Sequence, residues 1–330
     1  MFTFQESEIK NLLNALAKEY KVFVPAKVGD ESKFVPYDDN VELYWDRNVL
    51  LSVKDKFFPH TEPMYKFKTK RKTVEIEPLA SKDEPVLLFG VRSCDLQALN
   101  CLDQVFLTKG FVDEFYRTKR DQATIVALGC NEAEDTCFCT AMGVDPQKGN
   151  GADIQAYRTQ GKFGMEALTE KGQKIIDILK SYLKEENLQV PETQGFQLQP
   201  DMDGVAEKLK GMFDAELWAE VAPTCLNCGA CTYICPTCHC FDISQDVRGE
   251  EGFKYRCWDS CMFEEYTLMA GGHNPRPSKK ERVRNRFMHK LCYFPERYNM
   301  LLCTGCGRCL NVCPVNLHIT SIIGKVKEAN

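Results

Sequence analysis

Several signals that would place a 330-residue chain quickly are missing here. The opening residues, MFTFQESEIK, have neither a basic start nor an apolar stretch, so no secretory signal is expected. No apolar run approaches the ~18 residues that a membrane-spanning helix needs. Positive charge is not in excess. The 42 Lys and Arg stand against 47 Asp and Glu, a net −5, which gives no overall bias toward nucleic acid. A G-x-G-x-x-G dinucleotide loop is absent, and the glycine pair in AGGHN (270–274) is too short to replace one. These absences leave a cytoplasmic globular protein. Its 44% hydrophobic and 27% charged residues suit a sizeable core, and its length suits two or three domains.

Cysteine, by contrast, is abundant. Eighteen thiols fall in short-interval groups along a long chain without a secretory signal. In a reducing compartment that pattern points to metal or redox sites rather than to a disulfide framework.

The first ~220 residues read as mixed α/β. SEIKNLLNALAKEY carries Ile9, Leu12, Leu13 and Leu16 at amphipathic-helix spacing, and KVFVPAKV and VELYW have strand character. EPVLLFGV (84–91) and ATIVALGC (123–130) are short apolar runs of the buried-strand type. SCDLQALNCLDQVFL follows the first as a helix with Ser93 as its N-cap. Residues 166–185 and 203–221 read as helices, and the polar stretch ENLQVPETQGFQLQPD between them as a linker or surface loop. The expected organisation is α+β: an α/β domain over 1–220, then a ferredoxin-like domain over 221–330 with an insertion at 238–300.

Two motifs define that second part. CLNCGACTYICP places Cys225, Cys228, Cys231 and Cys235 before Pro236. CTGCGRCLNVCP places Cys303, Cys306, Cys309 and Cys313 before Pro314. Both are C-x2-C-x2-C-x3-C-P. Two-residue gaps let a tight loop wrap one face of a [4Fe–4S] cube, and the fourth cysteine then ligates the other cluster. One cluster is therefore expected on Cys225, Cys228, Cys231 and Cys313, and the other on Cys303, Cys306, Cys309 and Cys235.

A third cluster is expected in the first half. LGCNEAEDTCFC supplies Cys130, Cys137 and Cys139, and Cys94 follows the other apolar strand. Two parallel strands ending side by side would bring all four together, because ligand sites in open α/β sheets gather at the C-terminal edge. The helix starting at Cys94 would turn its positive end to the thiolates and lower their pKa. Cys101 competes for the fourth place, but it lies two helical turns on, roughly 10 Å away. Unligated thiols, zinc or a redox disulfide are the alternatives.

Between the two motifs stand Cys238, Cys240, Cys257 and Cys261, either a separate metal site or thiols packed beside a cluster. His239 and His273 are candidates for tuning the first cluster, and Trp258 for shielding one; ordinary packing serves all three as well. Residues 276–290 hold seven Lys and Arg and one Glu. They read as a solvated face, a docking surface for an acidic partner, or positive charge that eases cluster reduction.

CPTCHCFD, CWDSCMF, MAGGHN, RVRNRFMHK and CTGCGRCLNVCPVNL, with FGVRSCDLQALNCLDQVF and ALGCNEAEDTCFCTAMG in the first half, give the chain its likeness. It resembles the dicluster iron–sulfur subunit that sulfhydrogenase-type [NiFe] hydrogenases, as their beta subunit, share with anaerobic sulfite reductase. The resemblance implies an electron conduit in an anaerobic multi-subunit complex. One partner would be a flavin/NAD(P)-binding subunit. The other would be a catalytic or bifurcating subunit of hydrogenase, sulfite reductase or heterodisulfide reductase-like type. No pair of C-x-x-C motifs at both termini marks a nickel site here, so no catalytic residue is assigned to this chain. The rivals are a stand-alone iron–sulfur reductase with its own pocket in 1–220, and an iron–sulfur regulatory or nucleic-acid-binding protein using 276–290.

Overall fold

The computed structural model describes residues 1–79, 84–159 and 161–329. Its strands are β1 (Phe2–Gln5), β2 (Lys21–Val28), β3 (Glu31–Pro36), β4 (Thr61–Lys70), β5 (Thr73–Pro78), β6 (Val86–Val91), β7 (Ala123–Leu128), β8 (Ile154–Thr159), β9 (Lys162–Ala167), β10 (Lys184–Glu185), β11 (Phe241–Arg248) and β12 (Glu251–Trp258). Eight form one sheet in the order β10-β1-β9-β8-β7-β6-β2-β3. Its centre, β2-β6-β7-β8, is parallel, and antiparallel strands flank it on both sides.

The parallel centre follows from the two apolar runs. A strand covered on both faces needs apolar residues in succession rather than in alternation. Leu87 and Phe89 join Val126 and Leu128 in a core closed by the helices Ile9–Leu16 and Glu170–Leu179. Leu88 and Val91 join Ile125 and Ala127 in a second core beneath the helices Ser93–Leu107 and Glu114–Gln122. Ile9, Leu12, Leu13 and Leu16 are all buried, as their spacing requires.

The second sheet, β11-β12-β4-β5, joins distant chain segments. The β11–β12 hairpin comes from between the two cysteine motifs, and it pairs through β12 with β4 from the first half. Buried Arg256 on β12 fastens the junction. Its Nε donates to Glu62 at 2.7 Å and its Nη1 to Asp113 at 2.5 Å, under the rings of Phe58 and Phe241. A third core also crosses residue 220. It packs Phe138 and Met142 with Val205, Leu209 and Trp218, and with Val283, Phe287 and the final helix Ile319–Glu328.

Several expectations are corrected. VELYW is a loop with a single bridge, Leu43 to Ala26, and Trp45 packs edge-on against Phe89 and Phe163. The 166–185 helix shrinks to Glu170–Leu179, opened by Thr169 Oγ1 accepting from the Gly172 amide at 3.2 Å. The residues before it belong to β9, whose Phe163 and Met165 point inward with period two. Residues 203–221 form two short helices, Val205–Lys210 and Leu217–Val221, broken near Gly211. Ser93 is the first helical residue rather than the cap; Arg92 precedes it in extended conformation, and Ser93 Oγ donates to the Pro146 carbonyl at 3.3 Å. Among the described residues, no helix is long and apolar enough to cross a membrane.

Candidate metal centres

Cys225, Cys228, Cys231 and Cys313 line one cavity, walled by Met262, Val283, Phe287 and Leu317. The loop turns at Asn227, in left-handed conformation, and its amide donates to Cys225 Sγ at 3.4 Å. Arg286 reaches the same cavity. It is 4% exposed, and its Nε has no hydrogen-bond partner. A buried donor without an acceptor is costly. A cube held by these four thiolates would present sulfur acceptors there, so the donor set and the orphaned donor fit such a group.

The second motif repeats the design, with a short helix Arg308–Asn311 after Gly307. Cys235 is the electrostatic neighbour of Cys303, Cys306 and Cys309. The Cys235 thiol accepts from Lys290 Nζ at 3.3 Å and contacts Thr237 Oγ1 at 3.2 Å. Lys54, buried under a Trp258 ring 3.6 Å away, donates to the carbonyls of Cys235 at 3.0 Å and Cys238 at 3.1 Å. Burial pulls its pKa down to about 8.

Cys94, Cys130, Cys137 and Cys139 line a further cavity with Asn48, Arg92, Glu132 and Phe196. Strand pairing makes this possible, since β6 and β7 are parallel neighbours and each leads to one of these cysteines. Arg92 ties the two strand ends by donating to the Gly129 carbonyl at 2.7 Å and to Trp45 O. Asn48 donates to Cys94 Sγ at 3.3 Å. The 186–201 stretch is more than a linker. Gln194 bridges to Glu132, and Thr193 Oγ1 donates to the Cys130 carbonyl at 2.5 Å, closing the cavity.

Cys306 lines this cavity as well, because the loop 136–139 lies directly on the second motif. The Phe138 amide donates to Gly305 O at 2.8 Å. A Cβ on Gly305 would stand 2.5 Å from Phe138 O, and one on Gly307 would stand 2.5 Å from Thr136 O. Both glycines have positive φ, so the close approach and the backbone conformation each require them. Thr136 and Thr304, next to Cys137 and Cys303, carry buried hydroxyls without partners. They mark polar environments beside the thiols.

Cys101 is placed elsewhere, against Phe294 and Leu302, donating to Leu301 O at 3.4 Å. The expected lowering of the thiol pKa values by the helix at Cys94 is overturned. Burial wins: it raises Cys94, and pushes Cys137 up to about 11 and Cys139 and Cys101 up to about 12. Such thiols ionise when a cation compensates the charge. Among the described residues, no three His, Cys, Asp or Glu side chains close on one point as around a single ion. The first and third sets instead stand around cavities.

The remaining cysteines separate. Cys238 lies beside Cys235, and Cys240 beside Cys261 and Tyr266. Cys257 lies on β12 opposite Asp242. His239 belongs near the second set, with Nδ1 3.0 Å from Thr237 O and its ring edge-on to His289. His273 is exposed in a turn, and Trp258 Nε1 donates to Phe58 O at 3.0 Å.

Sequence reasoning missed Asn48, Arg92 and Arg308, and took Arg286 and Lys290 only as part of a basic run. Arg308 sits inside the second motif. It donates to both oxygens of Asp95, to Asn48 Oδ1 at 2.8 Å and to Val49 O at 2.8 Å, joining that motif to the residue after Cys94. The basic segment 276–290 is not a solvated face throughout: Arg282, Arg286 and Lys290 are 5%, 4% and 4% exposed. Their four-residue spacing was the available signal.

Residues 224–317 match the 4Fe-4S dicluster domain. The chain is 30% identical over 327 residues to sulfhydrogenase 2 subunit beta of Pyrococcus furiosus, an alignment covering 96% of this chain and 95% of that protein. No solved structure matches the chain. With a relative this similar along nearly the whole length of both proteins, the chain belongs to the sulfhydrogenase beta-subunit family and is an iron–sulfur protein of the 4Fe-4S type.

Proposed function

We propose that this chain is the electron relay of a cytoplasmic multi-subunit redox complex and holds three [4Fe–4S] clusters. The first set is Cys225, Cys228, Cys231 and Cys313. The second is Cys303, Cys306, Cys309 and Cys235. The third is Cys94, Cys130, Cys137 and Cys139. Such clusters supply one-electron transfer, with potentials set by nearby charge, hydrogen bonds and solvent exposure. The carrying observation is contiguity. The third set's loop lies on the second motif, and Arg286 stands among thiols of both the first and second sets.

The protein's own residues keep the path dry and fixed. Met262, Phe287 and Leu317 wall the cavity of the first set, and Asn48, Arg92 and Phe196 wall that of the third. Cys228 is exposed, which leaves the first set open to a partner. The proposed partners are two: one binds flavin and NAD(P), and the other is catalytic or bifurcating.

Iron and acid-labile sulfide assays on anaerobically purified protein test the cluster number. About twelve irons per chain are expected, and about eight would remove the third cluster. Identification of the co-purifying chains tests the partners: a large nickel protein, a sirohaem protein or a flavin-rich bifurcating protein would each name the complex. Purification as an active monomer with its own substrate would overturn the relay.

A further inference from the structure

The basic segment turns three cations inward. Arg282, Arg286 and Lys290 are four residues apart along the helix Lys279–Met288 and the turn His289–Tyr293 that continues it, so they share one face. Each meets a different part of the cysteine architecture. Lys279 begins the row with its Nζ 2.9 Å from the Cys225 carbonyl. Arg282 donates to the Asn227 side-chain oxygen in the first motif loop, with the amide assigned to suit. Arg286 lines the cavity of the first set with Cys231 and stands within electrostatic reach of Cys309 and Cys235 of the second. Lys290 Nζ is 3.3 Å from Cys235 Sγ.

Charge balance separates these residues. Arg282 has Glu264 at 3.9 Å, and the neighbouring Arg308 has Asp95. Among the described residues, neither Arg286 nor Lys290 meets a carboxylate. Lys290 directs its donors to Cys235 Sγ, Thr237 Oγ1 at 3.0 Å and Leu302 O at 3.1 Å, and of these three only the Cys235 sulfur can carry negative charge. Arg286 Nε donates to nothing. Buried cations without counter-ions are costly, so a fold that keeps two side by side needs negative charge between them. Thiolate-held clusters supply it.

We infer that this helix is the electrostatic spine of the two ferredoxin-type sites: Arg286 serves both, and Lys290 raises the reduction potential of the second. The inference rests on the cluster reading above. Reduction adds an electron, and a fixed positive charge in a low-dielectric surrounding stabilises the reduced form more than the oxidised one.

Potentiometric titration followed by electron paramagnetic resonance tests this on the full, anaerobically loaded chain. K290M is expected to lower one reduction step at least tenfold in its equilibrium, about 59 mV for one electron, leaving the others in place. K290R, which restores the charge, is expected to restore the step. R286M is expected to lower two steps. Unmoved steps in an iron-replete K290M overturn the proposal. Should K290M bind less iron than the wild type, R286M carries the same test, and unmoved steps there overturn it. Fewer than two reduction steps in the wild-type protein would defeat the cluster reading itself, and with it the spine; that failure appears before any variant is compared.

Discussion

The Asp95–Arg308 pair offers the sharpest test of how the two halves are joined. Asp95 follows Cys94, and Arg308 precedes Cys309, so the pair spans the third and second sets. Their side chains are 1% and 4% exposed. R308M leaves the Asp95 carboxylate buried without its cation, and strands Asn48 Oδ1 and the Val49 carbonyl. Removing one partner of a buried pair costs about 3–5 kcal/mol. With a urea slope of ~3 kcal/mol per molar, the unfolding midpoint falls by about 1–1.7 M. The assay is urea unfolding of the anaerobically loaded protein, followed by tryptophan fluorescence, for R308M, D95L and the double variant. The double variant is expected to lose less than the sum of the singles, because both charges leave together. Single-variant losses below ~1 kcal/mol, the value of an exposed pair, would refute the reasoning. So would strict additivity.

Other outcomes follow from the same geometry. Cys94→Ala and Cys139→Ala are each expected to lower bound iron from about twelve to about eight per chain, measured by iron assay; unchanged iron would detach these thiols from a cluster. Gly305→Ala puts a Cβ 2.6 Å from the Cys139 amide nitrogen at a residue with φ of +65°, so iron loading should fall, whereas Gly271→Ala, with nothing within 4 Å, should load normally. His239 is pushed down to about 4 by burial, below its ordinary 6.5. The unfolded chain therefore binds the extra proton more readily, and this contribution to stability, complete above pH ~6.5, is lost as pH falls toward about 4. H239F should flatten the dependence of the unfolding midpoint on pH in that window, and an unchanged slope would contradict the assignment.

Legibility in the sequence followed the distance over which each feature is encoded. The two ferredoxin motifs are local, so their ligand spacing was readable residue by residue. The strands carrying Cys94 and Cys130 were readable because a doubly covered strand must be apolar at every position, as Leu87–Leu88–Phe89 and Ile125–Val126–Ala127 are. The hairpin β11–β12 gave no sign that it would pair with β4, because partners nearly two hundred residues apart share no local pattern. The basic segment was legible only in part, as a solvated face, a docking surface or charge beside a cluster, for a related reason. Composition reports charge, while only the four-residue interval of Arg282, Arg286 and Lys290 reports a face. Likewise ENLQVPETQGFQLQPD looks solvated, yet its backbone pairs at Gln194 and its Thr193 closes the third cavity.

The contacts also order the sites in space differently from the chain. Along the sequence, the Cys94–Cys139 set comes first and the two ferredoxin motifs follow. In the fold, the second motif stands in the middle: its Gly305 and Gly307 receive the 136–139 loop, and its Cys309 shares Arg286 with Cys231 of the first. Cys306 is a wall of the third cavity while belonging to the second motif. A middle site that shares walls with both neighbours cannot be rearranged alone, and buried cations hold it from several sides. Arg308 takes Asp95, Asn48 and Val49 together, and Lys54 and Lys290 hold the Cys235 turn from two directions. The end sites differ from each other: Cys228 of the first is exposed, whereas Cys94 and Cys139 of the third are buried and its cavity is closed by a segment with little regular structure. A central site tied to both neighbours is the arrangement the proposed relay needs, because such a site must keep its distance to each of them.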